Sequence, residues 1–157
     1  MKKNEAVLIA EIEKTTALIS DLRVFQQQVE ENELATLGKT RATAMMTAQI
    51  LENFYTCLET LFFRISQYFE NSLQQKKWHS DLLDKMILRI PGIRPAVISQ
   101  TTYKNLLELM RFRHFKRYYF ELDYDWKKLD YLTACLKDAA RTLPAELDEF
   151  RSFLEQL

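Results

Sequence analysis

The sequence predicts an all-α protein, an up-and-down bundle of four main helices with short additional helices. Three observations carry this. The 157 residues include only 2 Gly and 3 Pro, while the strong helix formers Leu, Glu, Lys, Gln and Ala are abundant. Apolar residues step by three and four throughout and never alternate as a half-buried strand requires. The length suits one domain over residues 1–157, enough to bury a core and too short for two ordinary domains.

The first segment, Glu5 to Leu34, carries Leu8, Ile12, Ile19, Leu22, Phe25 and Val29 at helical spacing, the narrow seam of a long helix. Gly38 is the natural break. From Thr40 to Asn71 the period is clearest: Ile50, Phe54, Leu58, Leu61, Ile65 and Phe69 form one stripe of an amphipathic helix. Asn71 to Lys77 is polar and reads as a loop. Trp78 to Leu88 reads as a short helix, with Ser80 as N-cap and Leu82, Leu83, Met86 and Ile87 turned inward. Pro91-Gly92-Ile93-Arg94-Pro95 then predicts an ordered connection. A helix capped by Thr101 or Thr102 follows and runs to Phe120. Asp125 opens another, to Arg141, and Pro144, at a first helical position, opens a last short helix to Leu157.

Charge and cysteine content narrow the function classes. Basic and acidic residues number 22 each, a formal net charge of zero, so any affinity for nucleic acid has to come from a patch. Cys57 and Cys135 sit on separate apolar helical patterns and read as small buried hydrophobes rather than a disulfide, which fits a reducing cytoplasm. The N-terminus runs into charged residues without the apolar stretch of a signal peptide. No segment approaches the ~20 apolar residues that span a bilayer. A cytoplasmic protein with no membrane partner is expected.

That patch lies between Leu109 and Trp126. Arg111, Arg113, His114, Lys116 and Arg117 fall within seven consecutive residues, interleaved with Phe112, Phe115, Tyr118 and Tyr119. On a helical wheel of about 100° per residue, Leu106, Leu109, Met110 and Phe120 share one broad side, and Arg113 and Arg117 project from its middle. Guanidiniums in an apolar stripe need partners, a wet cleft or an interface. Arg111, His114 and Tyr118 share an adjoining face. Guanidinium, imidazole and phenol together suit a site that binds or cleaves a phosphodiester. The plainer alternative pairs the arginines with acids such as Glu108 or Glu121 and gives the aromatic residues to the core. Phe112, Phe115 and Tyr119 are also placed to stack on unpaired bases.

No Gly-rich phosphate loop and no Cys-x-x-Cys pair occur, and neither His79 nor His114 follows a Glu by three residues. No metal and no cofactor are expected, so any hydrolysis would rest on His, Arg and Tyr. His79 is expected to be structural, at the start of its short helix.

Three blocks carry a family resemblance: Asn53 to Ile65; Trp78 to Met86 with Ile93-Arg94-Pro95-Ala96-Val97-Ile98-Ser99; and Leu107 to Phe115 continuing to Trp126. In order, and over about half the chain, they resemble the HepT-like branch of the HEPN superfamily. The resemblance implies a helical bundle, a homodimer with paired motif helices, and a metal-independent endoribonuclease toxin acting on cellular RNA such as tRNA or mRNA. It also implies a cognate minimal nucleotidyltransferase antitoxin that neutralises the toxin by adding AMP to a tyrosine, here Tyr118 or Tyr119. The family motif is an arginine, four to six residues, a histidine, and a tyrosine two positions on. Laid on this chain without gaps, Arg113 takes the arginine position, Tyr118 the histidine position and Phe120 the tyrosine position.

A rearranged site would use Arg113, His114 and Tyr118 for catalysis, with Arg111, Lys116 and Arg117 binding RNA. The alternative is a catalytically inactive HEPN module that binds RNA or the nucleotidyltransferase. A plain helical scaffold is the third reading.

Overall fold

The computed structural model describes residues 1–70 and 78–157, and the side chains of all of these except 78–80. Helix α1 (Lys3–Val29) runs on through one wider π turn (Glu30–Leu34) and a last turn (Ala35–Leu37). It is followed by α2 (Arg41–Phe69), α3 (Trp78–Met86), α4 (Gln100–Tyr118) and α5 (Trp126–Glu155). Among the described residues no strand forms; a lone antiparallel bridge joins Ile90 and Arg94. The fold is an all-α bundle of four long helices and a short one.

In α1 the seam Leu8, Ile12, Ile19 and Val29 is buried. Phe25, expected in the seam, is exposed, and Gln26 occupies the buried place. The steps from Ile19 through Leu22 to Val29 land on 26, so position 25 falls beside the stripe. Gly38 ends the element with φ of +74°, a conformation in which a Cβ would be strained. Thr40 then caps α2, accepting from Thr43 N at 3.2 Å while its own N–H reaches Thr43 Oγ1 at 2.9 Å. The stripe of α2 is buried except at its end, where Phe69 is half-buried, and Phe54, Leu58, Phe62 and Ile65 lie at the centre of the core. Helix α2 packs against all four other helices, and α1 lies between α2 and α5.

Three boundaries differ from expectation. Helix α3 begins at Trp78, so Ser80 is interior and not an N-cap; the expected loop Asn71 to Lys77 and the role of the His79 side chain lie outside the described residues. Ser99, not Thr101 or Thr102, caps α4, accepting from Thr102 N at 3.2 Å. Thr102 is buried and turns instead to α5, bonding Thr142 and Glu146, each at 2.6 Å. Helix α4 stops at Tyr118; Tyr119 turns extended, and its hydroxyl donates to the Asp123 carbonyl at 2.8 Å. Phe120, expected on the apolar side, therefore lies beyond the helix and is exposed.

The largest difference is α5. Its start at Asp125 is as expected, with the carboxylate accepting from Lys127 N at 3.0 Å. It then continues unbroken through Pro144. An interior proline loses one backbone hydrogen bond and costs about 3 kcal/mol. Against this, the stripe Leu136, Ala139, Leu143, Leu147, Phe150 and Leu154 is buried on both sides of it. Thr142 and Glu146, which straddle the proline, are both tied to Thr102 of α4.

The connection from α3 to α4 is ordered by one arginine. The Arg94 guanidinium is fully buried and donates to Glu70 Oε1 at 2.9 and 2.5 Å. It also donates to the carbonyls of Lys85, Leu88 and Pro95 at 3.0 to 3.1 Å. Gly92, with φ of +74°, makes the turn that brings it there. This clamp sets the start of α4, which lies against α2 on one side and α5 on another.

Candidate functional site

Helix α4 shows three faces, and they divide the expected site residues. Arg113 and Lys116, three apart, face α2. Arg113 is 8% exposed and grips Glu59 with both prongs, Nη1 to Oε1 at 3.0 Å and Nη2 to Oε2 at 3.1 Å. Its guanidinium carbon lies 5.3 Å from the centre of the Tyr55 ring. Burial, and then the charge and hydrogen bond of Glu59, hold the Tyr55 phenol well above its usual range, with Arg113 opposing them. Lys116 Nζ reaches Glu52 Oε2 at 2.6 Å and Gln49 Oε1 at 3.3 Å. These two cations face the bundle and are matched by it.

The second face is open. His114, Arg117 and Tyr118 are exposed. The His114 and Tyr118 rings meet edge-on with centroids 5.6 Å apart. Arg117 was expected inside the apolar stripe with Arg113; it is exposed, and among the described residues it makes no ion pair. It lies a turn beyond Arg113, at the end of the helix, where the helix has run clear of the stripe. Arg111 is also exposed, with Nη1 3.4 Å from Glu108 Oε1. The structure thus brings the His114 and Tyr118 rings together on an open face, leaves Arg117 exposed beside them in sequence, and turns Arg113 inward to Glu59.

The third face borders a cleft of about 400 Å³ between α4 and the start of α5. Phe112 is buried at its floor, and Phe115 and Tyr119 stack at 4.8 Å on its wall. Tyr124 closes it, 5.3 Å from Tyr119. Phe112 has the expected core role, whereas Phe115 is 52% exposed.

Sequence reasoning did not single out Glu59, Tyr55 or Glu52. Glu59 carried a usable signal: it lies beside Leu58 on the apolar side of α2, where a carboxylate needs a cation. Arg94 carried none, because its acceptors are mostly backbone carbonyls.

Among the described residues no helix is long and apolar enough to cross a membrane. No curated protein and no solved structure matches the chain. The family model for HepT-like proteins matches residues 46–154, which span α2 through α5 and every residue of the site. The chain belongs to the HepT-like family of the HEPN superfamily.

Proposed function

We propose that this protein is the toxin of a toxin–antitoxin pair, an endoribonuclease that cleaves cellular RNA without a metal. In this reading the cognate nucleotidyltransferase antitoxin neutralises it. The family is one of HEPN toxins in general. The observation that carries the finer reading is the open strip His114, Arg117 and Tyr118 at the end of α4.

Cleavage begins when a ribose 2′-hydroxyl attacks the adjacent phosphorus. His114 takes the hydroxyl proton as the bond to the 5′-oxygen breaks, and the departing 5′-oxygen takes a proton from solvent water, leaving a 2′,3′-cyclic phosphate and a 5′-hydroxyl. Arg117 stabilises the charge on the phosphorane. Arg113 acts as a positioning residue, fixing the helix through Glu59. Tyr118, whose hydroxyl side is the more open of the two candidates, is the tyrosine that takes AMP. Phe120 and Leu122 are exposed just beyond the end of α4, which supports pairing of the motif-helix ends in a homodimer. The full chain expressed alone should arrest growth, and a cognate nucleotidyltransferase should relieve the arrest. Normal growth under strong expression overturns the toxin reading.

A second reading, an inactive module that binds RNA or the nucleotidyltransferase, is favoured by a specific observation. Arg113 is closed off by Glu59, and Tyr118 and Phe120 stand at the family's histidine and tyrosine positions. RNA binding without cleavage would select it.

A further inference from the structure

The cleft between α4 and α5 has its charges sorted along its length. At one end Arg111 and Lys128 share the single carboxylate of Glu108, at 3.4 and 3.7 Å. Two cations meet one carboxylate there; Asp125, which also lines the cleft, is held as the cap of α5, accepting from Lys127 N at 3.0 Å. At the other end the Tyr119 hydroxyl is tied to the Asp123 backbone. Burial, followed by the charges of Glu121 and Asp123, raises its phenol above the usual range. Between the ends lie aromatic rings: Phe115 stacked on Tyr119 with planes 28° apart, and Tyr124 tilted against Tyr119. Arg111 and Tyr119 are eight residues apart, about 12 Å along the helix axis.

A nucleotide has the same order of parts. Its phosphate is an anion, its base is a flat ring, and the far edge of an amine-bearing base offers N–H donors. A volume of about 400 Å³ is of the size that small ligands occupy. We propose that this cleft holds one unpaired nucleotide of single-stranded RNA, its phosphate toward Arg111 and Lys128, its base on Phe115 and Tyr119, and an exocyclic amine toward Asp123. The proposal rests on the RNA reading above and names the form of RNA it takes: single-stranded, with an amine-bearing base at this position. Carboxylates accept from the N4 amine of cytosine, and uracil, of nearly the same shape, has an oxygen there. Discrimination between the two pyrimidines therefore isolates the acidic end from stacking, which every base supplies.

The test uses the full chain with labelled 2′-O-methyl octamers of cytidine or uridine, which the proposed reaction cannot cut, read by fluorescence anisotropy. The cytidine octamer should bind roughly tenfold more tightly than the uridine octamer, by the discrimination typical of a side-chain contact to a base edge. Asp123→Ala, which removes the acceptor altogether, should abolish that preference. Phe115→Ala should weaken both octamers roughly tenfold, as loss of one stacking platform does. Phe115 is half exposed, and a melting curve by circular dichroism checks that the variant keeps its fold. Arg111→Gln should lower the salt dependence of binding by about one ion.

Equal affinity for the two octamers, or variants that bind as the wild type does, overturns the proposal. So does a wild type that binds neither. A protein that binds with this pattern but cuts no RNA leaves the cleft proposal standing and removes the ribonuclease reading. One that cuts RNA while the cleft variants bind normally removes the cleft proposal alone.

Discussion

Arg113 of α4 and Glu59 of α2, 54 residues apart in sequence, meet in a two-pronged buried ion pair with both N–O distances near 3 Å. The pair joins the motif helix to the centre of the bundle. Its net contribution is small, because desolvation offsets attraction, but removing one partner strands a buried charge. Glu59→Ala or Arg113→Ala is therefore expected to lose about 3 kcal/mol of unfolding free energy, seen as a lower urea midpoint. The double variant Glu59→Leu with Arg113→Met should recover part of that loss, less the cost of leaving the buried Tyr55 hydroxyl without its Glu59 acceptor. Single variants with an unchanged midpoint would show that the pair holds nothing.

Tyr55 gives the alkaline limit of stability. Burial, then Glu59, raises its phenol in the folded state, so the protonated form is favoured there. Its contribution is complete below the unfolded phenol value of about 10 and declines as pH rises beyond it, because only the unfolded chain then releases the proton. Absorbance titration of the native protein should leave one tyrosine un-ionised until the chain unfolds. Replacing Tyr55 with Phe should remove that late phase; a late phase that persists would assign it elsewhere.

Arg94 makes a prediction about the connection before α4. Its guanidinium satisfies Glu70 and three carbonyls at once. Arg94→Ala should destabilise by about 3 kcal/mol and lower Tm by roughly 6–12 °C. Arg94→Lys should rescue little, since an ammonium cannot reproduce the planar fork. Full rescue by Lys, measured by calorimetry, would reduce the clamp to a simple charge.

The two candidate tyrosines differ in a way mass spectrometry can read. Tyr118 is 65% exposed, whereas the Tyr119 hydroxyl is already donated to Asp123. After co-expression with the nucleotidyltransferase, an AMP adduct is expected on Tyr118. An adduct confined to Tyr119 would reverse the assignment.

What the sequence made legible was periodic or capped. The stripe of α2, the break at Gly38 and the cap at Asp125 follow from spacing and local chemistry, and the structure has them where expected. Pro144 misled because a local rule, that proline opens a helix, was outweighed by burial on both sides. The basic cluster was legible as a cluster, but not its division. Arg113 and Arg117 look equivalent on a wheel, and only the position of α2 separates a buried cation from an exposed one. Arg94 was invisible for the same reason: its partners are brought together by the fold.

The most direct test of the central claim is cleavage of tRNA and total cellular RNA by the purified protein in EDTA. His114→Ala, Arg117→Ala and the Glu59→Leu/Arg113→Met double variant are assayed beside the wild type. The account predicts cleavage by wild type and by the double variant, and at least a hundredfold loss in His114→Ala, the lower end of what a proton-transfer group contributes. Intact RNA with every protein, or cleavage that survives His114→Ala, would contradict it.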